Sequence, residues 1–270
     1  MGEQRNFTSS AGQDPPCANS RFKLQKSRDK DLNKRWGWDL ASFGFCICAW
    51  LWFMRVWLWH TSEEAEVLPG ARGFGWFFRY LTFFGFTLQT LQLNTVVAAW
   101  CTISRQNLAN GHGQWLRDAA DTLSCTAFGF ANVVTVMYHA VRLTQGADGA
   151  VEGGHIERPP WLGFTVHNLN AAVAWVHLFL APHSFSPSAE RLGVALALLY
   201  MLWILLCSYV NGGFPYPFLN RLPFPWGFLG TAVAAAAVFM AAFRTGRAVK
   251  RCAACGPAAA EAGGQPAKQR

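Results

Sequence analysis

Two side chains in this sequence are of the right types for a nucleophile and its base, and both lie within apolar stretches. Thr82 stands seven residues past Gly75, and His167 stands six past Trp161. A polar group inside a membrane span is costly, so each one calls for a reason. A threonine hydroxyl is a weak nucleophile at neutral pH. A neutral imidazole beside it accepts its proton as it attacks. Each residue also has a structural alternative. A threonine in a membrane helix commonly bonds its own backbone carbonyl, and a single histidine is often a satisfied packing residue.

The elements that must position this pair are apolar runs of membrane-crossing length. They cover residues 39–60, 75–102, 119–141, 161–181, 192–210 and 226–243. Each is near the ~20 residues that cross ~30 Å of hydrocarbon at 1.5 Å per residue. The expected fold is therefore all-α, a polytopic membrane helix bundle with about six transmembrane helices. The gaps between the runs hold the glycines, prolines and charges. With six spans, the second and fourth run in the same direction, from the exoplasmic to the cytoplasmic side. Thr82 and His167 then lie at one level, roughly 10 Å inside the exoplasmic leaflet.

Composition agrees with this division. Hydrophobic residues make up 52% of the 270, and the mean hydropathy of +0.14 averages polar tails with an apolar middle. Thirteen Trp and 22 Phe fit a membrane protein with interfacial aromatic belts. The net charge of +8 is concentrated at the ends, with eight Lys/Arg in residues 1–38 and six in residues 244–270. Basic residues flanking apolar spans indicate cytoplasmic placement and contact with anionic lipid, and not a nucleic-acid partner. The expected organisation is a disordered basic tail over 1–38, a six-span membrane domain over 39–243 and a second disordered basic tail over 244–270, both tails cytoplasmic. The sequon at Asn6 would then stay in the cytosol.

The eight cysteines do not form a disulfide framework. Cys46, Cys48, Cys101, Cys125 and Cys207 lie in or beside apolar runs, where cysteine acts as a small hydrophobe. Cys252 and Cys255 form one CxxC pair with no second Cys/His pair nearby, so no zinc site is expected. No metal and no organic cofactor is expected either.

Other polar positions set out competing functions. Thr87, Gln89, Thr90, Gln92, Asn94 and Thr95 make the second run polar. Asp121 and His139 in the third are what a proton-linked transporter would use, although paired repeats and broken helices are lacking. A non-catalytic membrane scaffold would need only the spans and tails. There is no Gly-x-Ser-x-Gly elbow, no HExxH and no phosphate-binding loop.

Several motifs in order resemble a known family. Trp76-Phe77-Phe78-Arg79-Tyr80-Leu81-Thr82-Phe83, followed by Gln89, resembles the second-span motif of the androgen-induced and androgen-dependent membrane hydrolases. Leu116-Arg117-Asp118 resembles the element before their third span. Trp161-Leu162 followed by His167 resembles their fourth-span motif. Pro182-His183-Ser184-Phe185, ahead of Pro187-Ser188, and Phe214-Pro215-Tyr216-Pro217 resemble their later loops. The ordered set covers residues 72–225. Those proteins are atypical threonine hydrolases with six spans that cleave fatty acid esters of hydroxy fatty acids. The resemblance implies Thr82 as nucleophile, His167 as base, a bilayer-dissolved fatty acid ester as substrate, and residence in the endoplasmic reticulum or plasma membrane. The chain departs from the pattern at Phe164, where the family often carries a second histidine, and by one residue inserted between Phe185 and Pro187.

Overall fold

A computed structural model of the chain describes residues 40–102, 112–145 and 159–255. The basic N-terminal segment, the Asn6 sequon and the residues beyond Cys255 lie outside them. Every regular element among the described residues is helical. Helix α1 spans Leu40–Trp59, α2 Leu81–Thr102 and α3 His112–Gln145. The fourth expected span is a composite. It runs from α4 (Pro160–Phe164) through a π turn over Thr165–Leu169 into α5 (Asn170–Leu180). Then come α6 (Pro187–Asn211), the single turn α7 (Pro217–Arg221) and α8 (Trp226–Cys255).

Four of these helices are long and apolar enough to cross a membrane: Ala41–Trp59, Gln114–Thr144, Pro187–Asn211 and Trp226–Ala253. The second and fourth expected spans are helical but fall short of that test. Gln89, Gln92 and Asn94 dilute α2, and the π turn divides the 160–180 helix. Boundaries also move. The second helix begins at Leu81 rather than Gly75, because residues 60–80 fold into a cap of 3-10 turns. Helix α8 runs on to Cys255, so residues 244–255 are helical and not unfolded tail. Arg247 anchors this extension, donating from its guanidinium to the Phe185 carbonyl at 2.9 Å and to Glu190 at 3.2 Å.

Local sequence explains where helices start and stop. Pro159-Pro160 opens α4, with Pro160 at the first turn, where its missing N–H costs nothing. Ser186 caps α6 by accepting from the Ala189 N–H at 3.4 Å, Pro187 follows, and Glu190 faces the positive end of the helix dipole. Gly212, at φ 75°, ends α6, and the Gly213 N–H returns to the Ser208 carbonyl.

Helix α3 is the hub, packing against α2, α5, α6 and α8. Its Cys125, Phe128, Phe130, Ala131 and Val133 form a buried cluster with Leu178, Phe185, Phe239 and Phe243. A second cluster joins α1, the 60–80 cap, α2 and the 160–180 helix through Phe53, Val56, Leu68, Phe77, Phe86 and Val166. Lipid tails are as apolar as these side chains, so helix association rests on packing and on interhelical hydrogen bonds averaging ~0.6 kcal/mol each. The polar residues of α2 supply several. Trp50 Nε1 donates to Asn94 at 2.6 Å, Trp57 Nε1 to Thr87 at 3.1 Å, and Gln92 to Ser124 at 3.0 Å. These groups hold the bundle together.

Candidate functional site

Thr82 sits in the first turn of α2, and its position is set by the loop before it. Gly73 and Gly75 take left-handed backbone (φ 82° and 91°), and Trp76 follows at φ 47°, where a side chain is strained. A Cβ on Gly75 would meet Cys207 Sγ at 2.5 Å, so glycine allows the loop to lie on α6. Three hydrogen bonds fix the segment leading to Thr82. Trp203 Nε1 donates to the Phe78 carbonyl at 3.2 Å, and Tyr200 Oη to the Arg79 carbonyl at 3.0 Å. Tyr216 Oη accepts the Leu81 N–H at 2.6 Å, satisfying a donor that the helix start leaves open. Loss of solvent around that hydroxyl pushes the Tyr216 phenol up to about 12, so it stays neutral at physiological pH.

Arg79 does not reach out to headgroups, as its boundary position allowed. It is 6% exposed, donates to the Pro69 carbonyl at 2.6 Å and lies over the Tyr80 ring.

His167 stands within the π turn, whose wider winding is marked by the Asn170 N–H reaching the Thr165 carbonyl. The imidazole is buried, with 6% of the residue exposed. Tyr138 of α3 lies flat against it, with ring centroids 3.6 Å apart and planes 5° from parallel. Thr135, one turn earlier on α3, donates to the His167 carbonyl at 2.5 Å. Trp52 of α1 donates to Thr165 at 3.3 Å. The histidine is thus held by its ring face and by its backbone, both from α3, while α1 ties the π turn at Thr165.

Thr82 and His167 line one cavity of about 350 Å³. That lies in the range of ~300–1,000 Å³ typical of small-molecule sites. Thr82 is half-buried on one wall. Helices α6 and α8 contribute small and flexible apolar residues to the lining, among them Gly193, Ala197 and Met201 of α6 and Ala232, Ala235 and Met240 of α8. The Ala-rich composition of the last helix therefore makes room for the cavity. Polar side chains are few among the lining: Thr82, Tyr80, Tyr216, Tyr200, His60, Tyr138, His167 and Thr231.

His60 is the residue that sequence reading passed over. It follows α1 directly and had the look of a boundary residue. It is buried, packs against Phe77 and Phe83, and its Nδ1 lies 2.8 Å from the Val56 carbonyl. A carbonyl only accepts, so Nδ1 carries the proton and Nε2 is the basic nitrogen. Phe164, in contrast, is 58% exposed on the outer face of its helix. A second imidazole therefore lines this cavity from the turn after α1, while position 164 faces away.

The residues suited to proton-linked transport are not brought together. Asp121 and His139 are 18 residues apart on α3, about 27 Å along a helix rising 1.5 Å per residue. His139 Nε2 lies 2.8 Å from Asn168 Oδ1, and Asp121 bonds His183 and Ser184.

A family model for FAR-17a/AIG1-like proteins matches residues 41–251, which include α1 but for its first residue, α2 to α7, and all but the end of α8. The chain belongs to the FAR-17a/AIG1-like family. That match and the four long apolar helices make it a helical membrane protein of this family. No curated protein and no solved structure matches it. The matched region of this FAR-17a/AIG1-like chain contains every residue of the cavity wall.

Proposed function

We propose that this FAR-17a/AIG1-like protein is an integral membrane lipid ester hydrolase, with Thr82 as nucleophile and His167 as general base. The observation that carries the reading is the shared cavity. A hydroxyl and an imidazole from separate helices line the same apolar chamber of about 350 Å³. That chamber suits an acyl chain entering from the bilayer, as in a fatty acid ester of a hydroxy fatty acid. In this reading the chain spans the membrane six times, with both termini cytoplasmic.

The chemistry follows acyl transfer. Thr82 Oγ1 attacks the ester carbonyl as His167 takes its proton, and the alcohol leaves with a proton returned by the imidazolium. Water, deprotonated by His167, then attacks the acyl-threonine, and the fatty acid is released as the imidazolium returns the proton to Thr82 Oγ1. General-base assistance supplies roughly 10²–10⁴-fold. The flat Tyr138 stack keeps the His167 ring in one plane, so its edge nitrogens stay directed. Tyr216, neutral and lining the cavity beside the start of α2, is a hydroxyl donor suited to developing negative charge on the carbonyl oxygen.

The test is labelling of the purified protein in detergent with a fluorophosphonate probe, which reacts with activated hydroxyls. Wild type should label, and Thr82→Ala and His167→Ala should both lose the label while keeping their thermal unfolding transitions. A folded wild type that does not label, or a Thr82→Ala variant that still does, refutes the assignment.

A further inference from the structure

A second polar cluster lies away from the cavity, where α3 meets the loop between α5 and α6. Asp121 and Cys125 are one turn apart on α3 and share a face. His183 approaches them from the loop. Its Nδ1 lies 3.1 Å from Asp121 Oδ1, and Cys125 Sγ lies 3.6 Å from the same oxygen. One donor atom from each of the three residues falls within 4.8 Å of the others.

These spacings are close to those of a metal shell. Tetrahedral zinc bonds of ~2.0 Å to nitrogen and oxygen and ~2.3 Å to sulfur place neighbouring ligand atoms roughly 3.3–3.8 Å apart. The two distances to Asp121 Oδ1 need shifts of only a few tenths of an ångström, and Cys125 and His183, within 4.8 Å of each other, close by up to about 1.3 Å to share an ion. The set is one carboxylate, one thiol and one imidazole, which matches a borderline cation and not a hard one such as Ca²⁺. The loop is also held rigid. Ser184 donates its hydroxyl to Asp121 Oδ2, and its backbone N–H is shared between Oδ2 at 3.2 Å and Oδ1 at 3.3 Å, so the hydroxyl turns Oδ1 toward His183 and Cys125. Orienting bonds of this kind to the outer oxygen of a ligating carboxylate are typical around metals. Phe185, at φ 46° and fully buried against Phe128 and Phe243, fixes the loop behind His183.

Space and a fourth ligand are at hand. A cavity of about 10 Å³ is lined by Cys125, His183 and His177, with Gln92 and Ser124 beside them. The His177 and His183 rings are 4.9 Å apart. We propose that Asp121, Cys125 and His183 bind a divalent transition-metal ion, Zn²⁺ by ligand type, with His177 or water in the fourth position. Binding is redox-neutral. The Cys125 thiol loses its proton to solvent, and His183 moves its proton from Nδ1 to Nε2 so that Nδ1 binds the ion. The ion ties the α5–α6 loop to the hub helix.

The experiment uses the full chain in detergent, stripped with a chelator and titrated with Zn²⁺ alone against a chromogenic competitor. Co²⁺ is then substituted to read the thiolate-to-metal absorption. Wild type should bind one equivalent and show that band. Cys125→Ser should abolish the band, and both it and His183→Ala should weaken Zn²⁺ binding by more than about 100-fold, beyond the ~10–100-fold of an outer-shell loss. The Cys252→Ser/Cys255→Ser variant should bind as wild type does. Absence of saturable Zn²⁺ binding overturns the proposal and leaves a hydrogen-bonded clasp only. Binding that vanishes with Cys252 and Cys255 assigns the ion to the tail and overturns it too. Should Cys125→Ser fail to fold, the Co²⁺ spectrum of the Cys252→Ser/Cys255→Ser variant decides alone: the band supports the site, and its absence refutes it.

Discussion

Ala197 lies on the cavity wall, one turn from Gly193 and close to Tyr200 on α6. Leucine at this position adds three carbons and fills space that the proposed function assigns to an acyl chain. A bound chain then loses burial of about three methylenes, at ~0.8 kcal/mol each. The total is roughly 2.4 kcal/mol, or about 50-fold in kcat/KM at ~1.4 kcal/mol per decade. The loss should appear only for substrates long enough to reach Ala197, because Thr82 and His167 themselves are unchanged. The assay is hydrolysis of a series of aryl esters, from acetate to long-chain acyl, by wild type and Ala197→Leu. Short esters should be cleaved at wild-type rates, with the deficit opening as the chain lengthens. Thermal unfolding should hold or rise, since the substitution fills empty space. Parallel loss at all chain lengths, or no loss at any, refutes the placement of the acyl chain in this chamber.

Two further outcomes follow from the packing and the ionisation. The Phe239 ring is wedged against two glycines, and a Cβ on Gly129 would come within 2.3 Å of it. Gly129→Ala should destabilise by about 1–3 kcal/mol, and Phe239→Leu in the same chain should recover part of that in thermal melts. The Tyr216 phenol is raised to about 12 when folded, against ~10 for a free tyrosine. The unfolded chain therefore ionises first. Stability present below pH ~10 should fall as pH rises toward 12, by up to ~1.4 kcal/mol per pH unit for one proton. Unfolding measured across that window should show a shallower fall in Tyr216→Phe, and an unchanged slope would contradict the buried phenol.

The sequence by itself determined what depends on composition and local spacing. The apolar runs foretold helices, because a backbone in hydrocarbon must satisfy its hydrogen bonds within each segment. Thr82 and His167 were singled out by depth and motif, since a polar group inside an apolar run is conspicuous in one dimension. Ser186-Pro187 and Gly212 mark the ends of α6 by ordinary capping chemistry, although the apolar run alone placed its start later. Only the tertiary structure decided what depends on close approach between distant segments. His60 looked like a boundary residue until the 60–80 cap folded it against Phe77 and Phe83. Arg79 turned inward because Pro69 offered a carbonyl, and Phe164 turned outward because of its place on its helix. Asp121, Cys125 and His183 met only when the α5–α6 loop reached α3. Pairings of this kind, from 10 to 62 residues apart along the chain, have no period to betray them. They arise from which faces pack, and linear spacing does not record that.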